Sequence, residues 1–428
     1  MVGVLLAANM CCYLARMVII LLVQPILRDL AISDTEISLL QGAAFSILFV
    51  LCGLPMGWLA DRRGRRNMLL AGILVWSSMA VLCGMASSYG ALFAARVGVG
   101  VGEAVLTPAA LSMIADYFPA ERRGRAMAIY YIGALVGTGL ATTLGALVLR
   151  RLDAGLHLPL LGGLASWQAM FCLSGLPGFA VATLLLSVRE PKRHDRLRLA
   201  AVPGGQAGVL PFLAGQWRTF LPVYASLTVL QFCGFAITAW VIPLLVRHVG
   251  MSTPAAGTAY GTIMMVVGVL AALVGGWSGD RLSVGARLGG RFKAVVYAYA
   301  AFLPGVVILG LAGTPLIAII GLVFEIFGVC MSAAIMYSVL QDIVPNQLRG
   351  QAIALLSMSA TLIGATCGPT AVALVTDRLF ADPGRVGDSI LLVCVPVILA
   401  GLAITLAGLP SYSRAGRALR AASFNPAG

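Results

Sequence analysis

Gly57 to Arg66 reads GWLADRRGRR, and Gly276 to Arg281 reads GWSGDR. The two strings share Gly, Trp, Asp and Arg at a constant spacing of 219 residues (57 to 276, 58 to 277, 61 to 280, 62 to 281). A second echo follows each of them. Asp116, Pro119, Arg123, Gly124 and Ala126 of DYFPAERRGRA match Asp342, Pro345, Arg349, Gly350 and Ala352 of DIVPNQLRGQA at a spacing of 226. Two pairs in the same order indicate a parallel duplication, the plan of two bundles that rock about a site at mid-depth in a membrane.

Composition fixes the setting of that duplication. Of the 428 residues 60% are apolar and 11% charged, against about 25% charged in a soluble chain. The charges fall in short clusters between long uncharged runs, which excludes a disordered chain, a secreted disulfide scaffold and an ordinary soluble enzyme. The formal net charge of +13 sits in those short clusters, without a basic stripe interleaved with exposed aromatics, so nucleic acid is not an expected partner. Most of the nine cysteines lie in apolar runs without CxxC spacing and read as small buried hydrophobes; no metal and no cofactor is expected. The first residues lack a basic n-region and lead into more than 20 mostly apolar residues, so they read as a membrane helix rather than a cleaved signal.

A helix needs about 20 residues to cross a hydrocarbon core of about 30 Å. Twelve runs meet this length: 4–28, 36–60, 67–88, 91–115, 126–149, 167–188, 219–246, 255–279, 293–312, 315–340, 348–375 and 388–410. They lack the two-residue alternation of a membrane barrel. The expected fold is therefore an all-α polytopic membrane protein with 12 transmembrane helices in two pseudo-symmetric six-helix bundles. The boundaries are 1–188 for the first bundle, 189–216 for a polar linker, 217–410 for the second bundle and 411–428 for a basic tail. With the N-terminus cytoplasmic, the cytoplasmic loops and tail hold 21 Arg and Lys against six on the other side, which places both termini inside.

GWLADRRGRR looks like the signature loop of the major facilitator superfamily, and the likeness covers essentially the whole chain. SDTE (Ser33 to Glu36), GILVWS (Gly72 to Ser77), RVGVGVGEA (Arg96 to Ala104) and IADYFP (Ile114 to Pro119) resemble the spinster branch, whose members are linked to export of lysophospholipids and sphingosine-type lipids. In a latch reading of the signature, Gly57 lets two helices approach, while Asp61 accepts charge-assisted hydrogen bonds that break on opening. The gating set is Gly57, Asp61, Arg62, Asp116, Arg123, Asp280, Arg281, Asp342 and Arg349; its arginines equally suit topology signals in the headgroup field.

Ionisable residues inside spans are functional candidates, because a charge at the bilayer centre costs at least about 2.5–3.5 kcal/mol. Here they are Arg16, Arg96, Glu103 and Glu325. Arg96, Gly100, Glu103 and Thr107 share one face of the fourth span, and Gly98 and Gly102 form a small-residue packing face nearly opposite. The spinster resemblance implies a Tyr followed by an Asp-Arg pair on the first helix, with the carboxylates in proton linkage and the arginines holding an anionic head. Tyr13 and Arg16 fit; Ala15 stands where the Asp would be, and Glu325 is the candidate substitute. The expected substrate-binding set is Tyr13, Arg16, Arg96, Gln231, Trp240 and Tyr337, with Glu103 and Glu325 coupling protons.

No Walker A loop, HExxH or GxSxG occurs, so neither ATP hydrolysis nor a membrane enzyme is expected. The function expected is a proton-coupled secondary transporter of an organic anion or lysolipid-like amphiphile, working by alternating access as a monomer. Proton-coupled multidrug efflux is the second reading, and a transport-inactive receptor or scaffold of the same fold the third. The Arg-rich, Ala- and Gly-rich composition points to a bacterial inner membrane.

Overall fold

A computed structural model describes residues 1–62, 64–153, 163–191, 209–283 and 289–424. Twelve helices in it are long and apolar enough to span a membrane: Val2–Leu30, Asp34–Gly53, Arg65–Gly84, Tyr89–Tyr117, Arg125–Leu152, Ser166–Leu186, Trp217–His248, Thr253–Ser283, Gly290–Gly310, Pro315–Leu340, Leu348–Phe380 and Pro383–Leu419. These are the first to twelfth spans. Each matches one apolar run of the sequence, because in lipid a helix alone satisfies its backbone within one segment. The protein is a multi-pass membrane protein. Most of the linker lies outside the described residues, while the tail continues the last helix as far as Phe424.

Two compact units emerge. One comprises Met1–Arg196, Thr238–Met265 and Ala373–Val386; the other comprises Leu197–Ile237, Val266–Val372 and Gly387–Gly428. The first unit thus takes in segments of the seventh, eighth, eleventh and twelfth spans, and close contacts hold them there. A Cβ at Gly261 of the eighth span would lie 2.5 Å from the Gly139 carbonyl of the fifth. One at Gly257 would lie 2.9 Å from Ala146. Glycine is required at both positions, since any side chain would separate the backbones.

The glycines of the fourth span serve two neighbours. A Cβ at Gly98 would meet Met79 Sδ at 2.6 Å and one at Gly102 would meet Trp76 N at 2.6 Å, so this face packs on the third span as the sequence implies. Gly100 faces the second span. Its Cβ would fall 2.5 Å from the Phe45 carbonyl, so the missing side chain brings the second span close rather than leaving space beside Arg96 and Glu103.

Three spans of the first unit are interrupted within their length. The first is interrupted at Val18, the second at Gly42 and the fourth at Ala104 and Val105. Pro108 accounts for the third break, because its ring clashes with the carbonyl four residues earlier, that of Ala104, and it offers no N–H. Gly42 accounts for the second. Each break falls next to a polar residue: Arg16, Gln41 and Glu103.

Candidate functional site

The breaks bring the intramembrane charges of the first unit together. Arg16 donates from Nε and Nη2 to Glu103 Oε2, at 2.8 and 2.5 Å, joining the first span to the fourth. Glu103 is buried to 1% exposure, while the Arg16 side chain keeps 12%. Cys12, one turn before Arg16, places its thiol beside Glu103. Ala15 is buried, and no carboxylate stands at that point of the first span.

Aromatic rings crowd the same guanidinium. Arg16 Cζ lies 4.0 Å from the ring centre of Phe45, 4.8 Å from Tyr13 and 5.2 Å from Phe49. Phe45 and Phe49 stack on each other at 5.1 Å, one turn apart on the second span. This places a desolvated cation against three π-faces, an arrangement worth up to about 2 kcal/mol per contact.

Arg96 bonds to backbone carbonyls rather than to a carboxylate. It is 1% exposed, and its Nε and Nη2 donate to the carbonyls of Leu40 at 3.4 Å and Arg16 at 3.5 Å. The fourth-span face that carries both Arg96 and Glu103 thus sends one to the first span's backbone and the other to its side chain. Arg96 Nη1 and both amide atoms of Gln41 are buried without a hydrogen-bond partner among the described residues. Two guanidinium groups and one carboxylate leave this buried cluster with one positive charge uncompensated.

In the second unit Glu325 is 2% exposed on the tenth span, where Gly305 of the ninth span lets the backbones meet; it has no ion pair among the described residues. Gln231 is half-buried, with its carbonyl 3.2 Å from where a Cβ at Gly364 would sit. Trp240, in the first unit, is fully buried with the Arg247 guanidinium 5.9 Å from its ring. The side chain of Tyr337 lies outside the described residues, as do those of Asp61 and Arg62.

The motif loops form two related networks, one in each unit. Arg65, 1% exposed, donates to Asp116 and to the Ser112 carbonyl and hydroxyl at 3.2 and 3.0 Å; the amides of Arg65 and Arg66 donate to Glu190 at 2.7 and 3.2 Å. In the second unit Arg291 donates to Asp342 at 2.5 Å and Asp280 at 3.1 Å, and the Tyr412 hydroxyl donates to Asp342 at 3.1 Å. Arg65 and Arg291 are themselves repeat mates at the 226 spacing. Arg123 Nε is buried without a hydrogen-bond partner among the described residues, and Arg349 donates to the Val344 carbonyl at 3.5 Å. Arg281 lies over Trp277 at 5.3 Å. Among the described residues nothing lies within 4 Å of a Cβ placed at Gly57.

A second charged constellation, not marked by charges inside apolar runs, lies in the first unit at the opposite end of its spans from Arg65. Arg247 donates to both oxygens of Asp34, at 2.6 and 2.8 Å, with side-chain exposures of 10% and 4%. Thr35 donates from its amide and hydroxyl to Asp377 at 2.8 and 2.6 Å. Ser33 and Glu36 close a capping box around these two residues. Every residue of SDTE therefore has a partner, and Arg247 and Asp377 both lie in π-helical turns, the wide turns that recur at functional positions.

The sequence profile of the Major Facilitator Superfamily matches residues 5–369. An MFS-type efflux pump of Mycolicibacterium smegmatis is 29% identical over 411 residues, covering 94% of this chain and 90% of that protein. A probable L-galactonate transporter of Escherichia coli is 28% identical over 222 residues, 50% of this chain and 45% of the relative. The sphingosine-1-phosphate transporter SPNS2 of Danio rerio is 26% identical over 293 residues, 64% of this chain and 55% of the relative. Among solved structures, a bacterial homolog of the human lysosomal transporter spinster superposes with a TM-score of 0.77 at 24% identity, covering 97% of this chain and 96% of that one.

Proposed function

The chain belongs to the Major Facilitator Superfamily, near its spinster branch, and from that premise we propose that it moves an organic anion or anionic amphiphile together with a proton by rocker-switch alternating access. It is a transporter and not an enzyme. The observation that carries the anion reading is the charge imbalance of the buried cluster: Arg16 and Arg96 against Glu103 alone. A buried charge without a partner is costly, and an incoming anion is the missing partner.

Proton linkage follows from the same count. Protonating Glu103 raises the positive excess from one to two and frees the Arg16 edge that the carboxylate occupies. Each event therefore favours the other, and the coupling is reciprocal. Glu325 is the candidate second carrier, because a buried carboxyl without a cation is least costly when it holds a proton. Arg247 with Asp34 and Thr35 with Asp377 join the seventh and eleventh spans to the second, and they are the candidate ties that open and close in the cycle; the Arg65 and Arg291 networks brace their own units.

Relatives named for galactonate, galactarate or glucarate and sphingosine-1-phosphate all handle anions, which supports the reading. The relative named as an efflux pump supports a second one, proton-coupled drug efflux. In proteoliposomes with an imposed pH gradient, organic-anion counterflow should follow the gradient in the wild type and lose its pH dependence in Glu103→Gln. Transport of cationic dyes with anions inert would favour the efflux reading, and an unchanged pH profile in Glu103→Gln would remove the coupling role. The bacterial inner membrane, with both termini cytoplasmic, is the setting we propose.

A further inference from the structure

Gln41 and Arg96 stand at one level on two spans that run side by side in the same direction. The Tyr89 hydroxyl donates to the Glu36 carbonyl at 3.5 Å, Arg96 Nε donates to the Leu40 carbonyl at 3.4 Å, and a Cβ at Gly100 would lie 2.5 Å from the Phe45 carbonyl. Residue numbers rise together through these three contacts, so the second and fourth spans keep one register along this stretch. Gln41 follows Leu40 and precedes Phe45 by one turn, which puts it level with Arg96. Resting on the charge count of the anion reading, we propose that a halide, chloride in the cell, is bound between Arg96 Nη1 and the Gln41 amide while no cargo is present, and that arriving cargo displaces it.

The donor balance favours a halide over water. Arg96 Nη1 and Gln41 Nε2 and Oε1 are all buried without a hydrogen-bond partner among the described residues. Nη1 and Nε2 bring two N–H groups each, against the single acceptor Oε1. A water would add donors of its own to a place already rich in them, and it carries no charge. A halide only accepts, and its charge meets the positive excess that Arg16 and Arg96 leave over Glu103. The two carbonyls do not remove that excess, since they are neutral and their bonds to Arg96 are long, at 3.4 and 3.5 Å. Glu103 Oε1, also bare, lies about two turns further along the fourth span and repels an anion, so the ion is confined to the level of Arg96. Size argues the same way: Arg96 is 1% exposed, so an organic head reaches it only after the spans part, whereas a monatomic ion needs room little larger than a water.

Thermal melts of the full chain in detergent test the site. Sodium chloride titrated onto a constant background of sodium sulfate, whose anion is wider and divalent, should raise the melting temperature saturably by about 2 °C or more, and sodium bromide should do the same. No change in the wild type, or a linear drift without saturation, overturns the inference without any variant and leaves water as the occupant. Gln41→Glu puts a fixed carboxylate where the halide sits, so it should abolish the response and melt no lower than the wild type does without halide. A folded Gln41→Glu that responds to chloride as the wild type does overturns the inference, and so do bromide-grown crystals of the full chain whose anomalous signal lies only away from Arg96. Calorimetry with hexanesulfonate in the sulfate background keeps the two readings apart. Hexanesulfonate binding without a halide response removes the halide and leaves the anionic cargo. A halide response without hexanesulfonate binding leaves the halide and removes the cargo reading.

Discussion

Arg16 and Glu103 form an ion pair of which one partner is almost fully enclosed, and such pairs behave asymmetrically on mutation. Removing one partner strands the other, at a cost of about 3–5 kcal/mol, whereas replacing both by apolar groups of similar size is close to neutral. Arg16→Met should therefore lower thermal stability sharply, and the double variant Arg16→Met with Glu103→Leu should recover most of it while remaining unable to transport. A thermal-melt series on the purified variants checks this; a single variant as stable as the wild type would mean that the pair is not desolvated. Much of this site was legible in the sequence: charged residues within apolar runs select themselves, and helical spacing placed Arg96 and Glu103 on one face. Their partners were not legible. Spacing within one helix says nothing about the rotation of the next, so Arg96 was not readable as a ligand of the Leu40 and Arg16 carbonyls.

At the level of elements, the broken spans place the polar groups and glycines set the distances. Pro108→Ala restores the N–H that the fourth span lacks and should straighten it. We expect a melting temperature equal to or above that of the wild type, together with at least a tenfold loss of transport rate; unchanged transport would show that the break is incidental. Two glycines on that span give a contrast. Gly100→Ala puts a methyl 2.5 Å from the rigid Phe45 carbonyl and should cost about 1–3 kcal/mol by overpacking. Gly98→Ala meets the flexible end of Met79 and should cost less in the same melts. Span number and rough bounds were readable from hydropathy because each helix must cross the same thickness. The direction each glycine faces was not: Gly100 meets the Phe45 carbonyl of the second span, which spacing along the fourth span does not tell.

For the molecule as a whole, the Asp34–Arg247 and Thr35–Asp377 contacts observed in the first unit are the ties proposed here to form and break during alternating access. Asp34→Asn and Arg247→Gln should each alter transport, and a double-mutant cycle should give a coupling of about 1–3 kcal/mol in stability. Additive effects would mean that the residues act separately. The sequence did not single these residues out, because Arg247 counts toward topology like any loop arginine and Asp34 sits in a capping motif that explains itself locally. Only the fold brings positions 213 residues apart within hydrogen-bond distance.

The central claim is that anion and proton bind to one cluster and favour each other. The most direct test is the number of protons taken up when hexanesulfonate, an anion whose head does not titrate near neutral pH, binds, obtained by calorimetry in buffers of different ionisation enthalpy. The wild type should take up a measurable fraction of a proton per ligand near neutral pH, and Glu103→Gln should take up none. Identical proton uptake by the two proteins, or none by either while the ligand binds, would contradict the account.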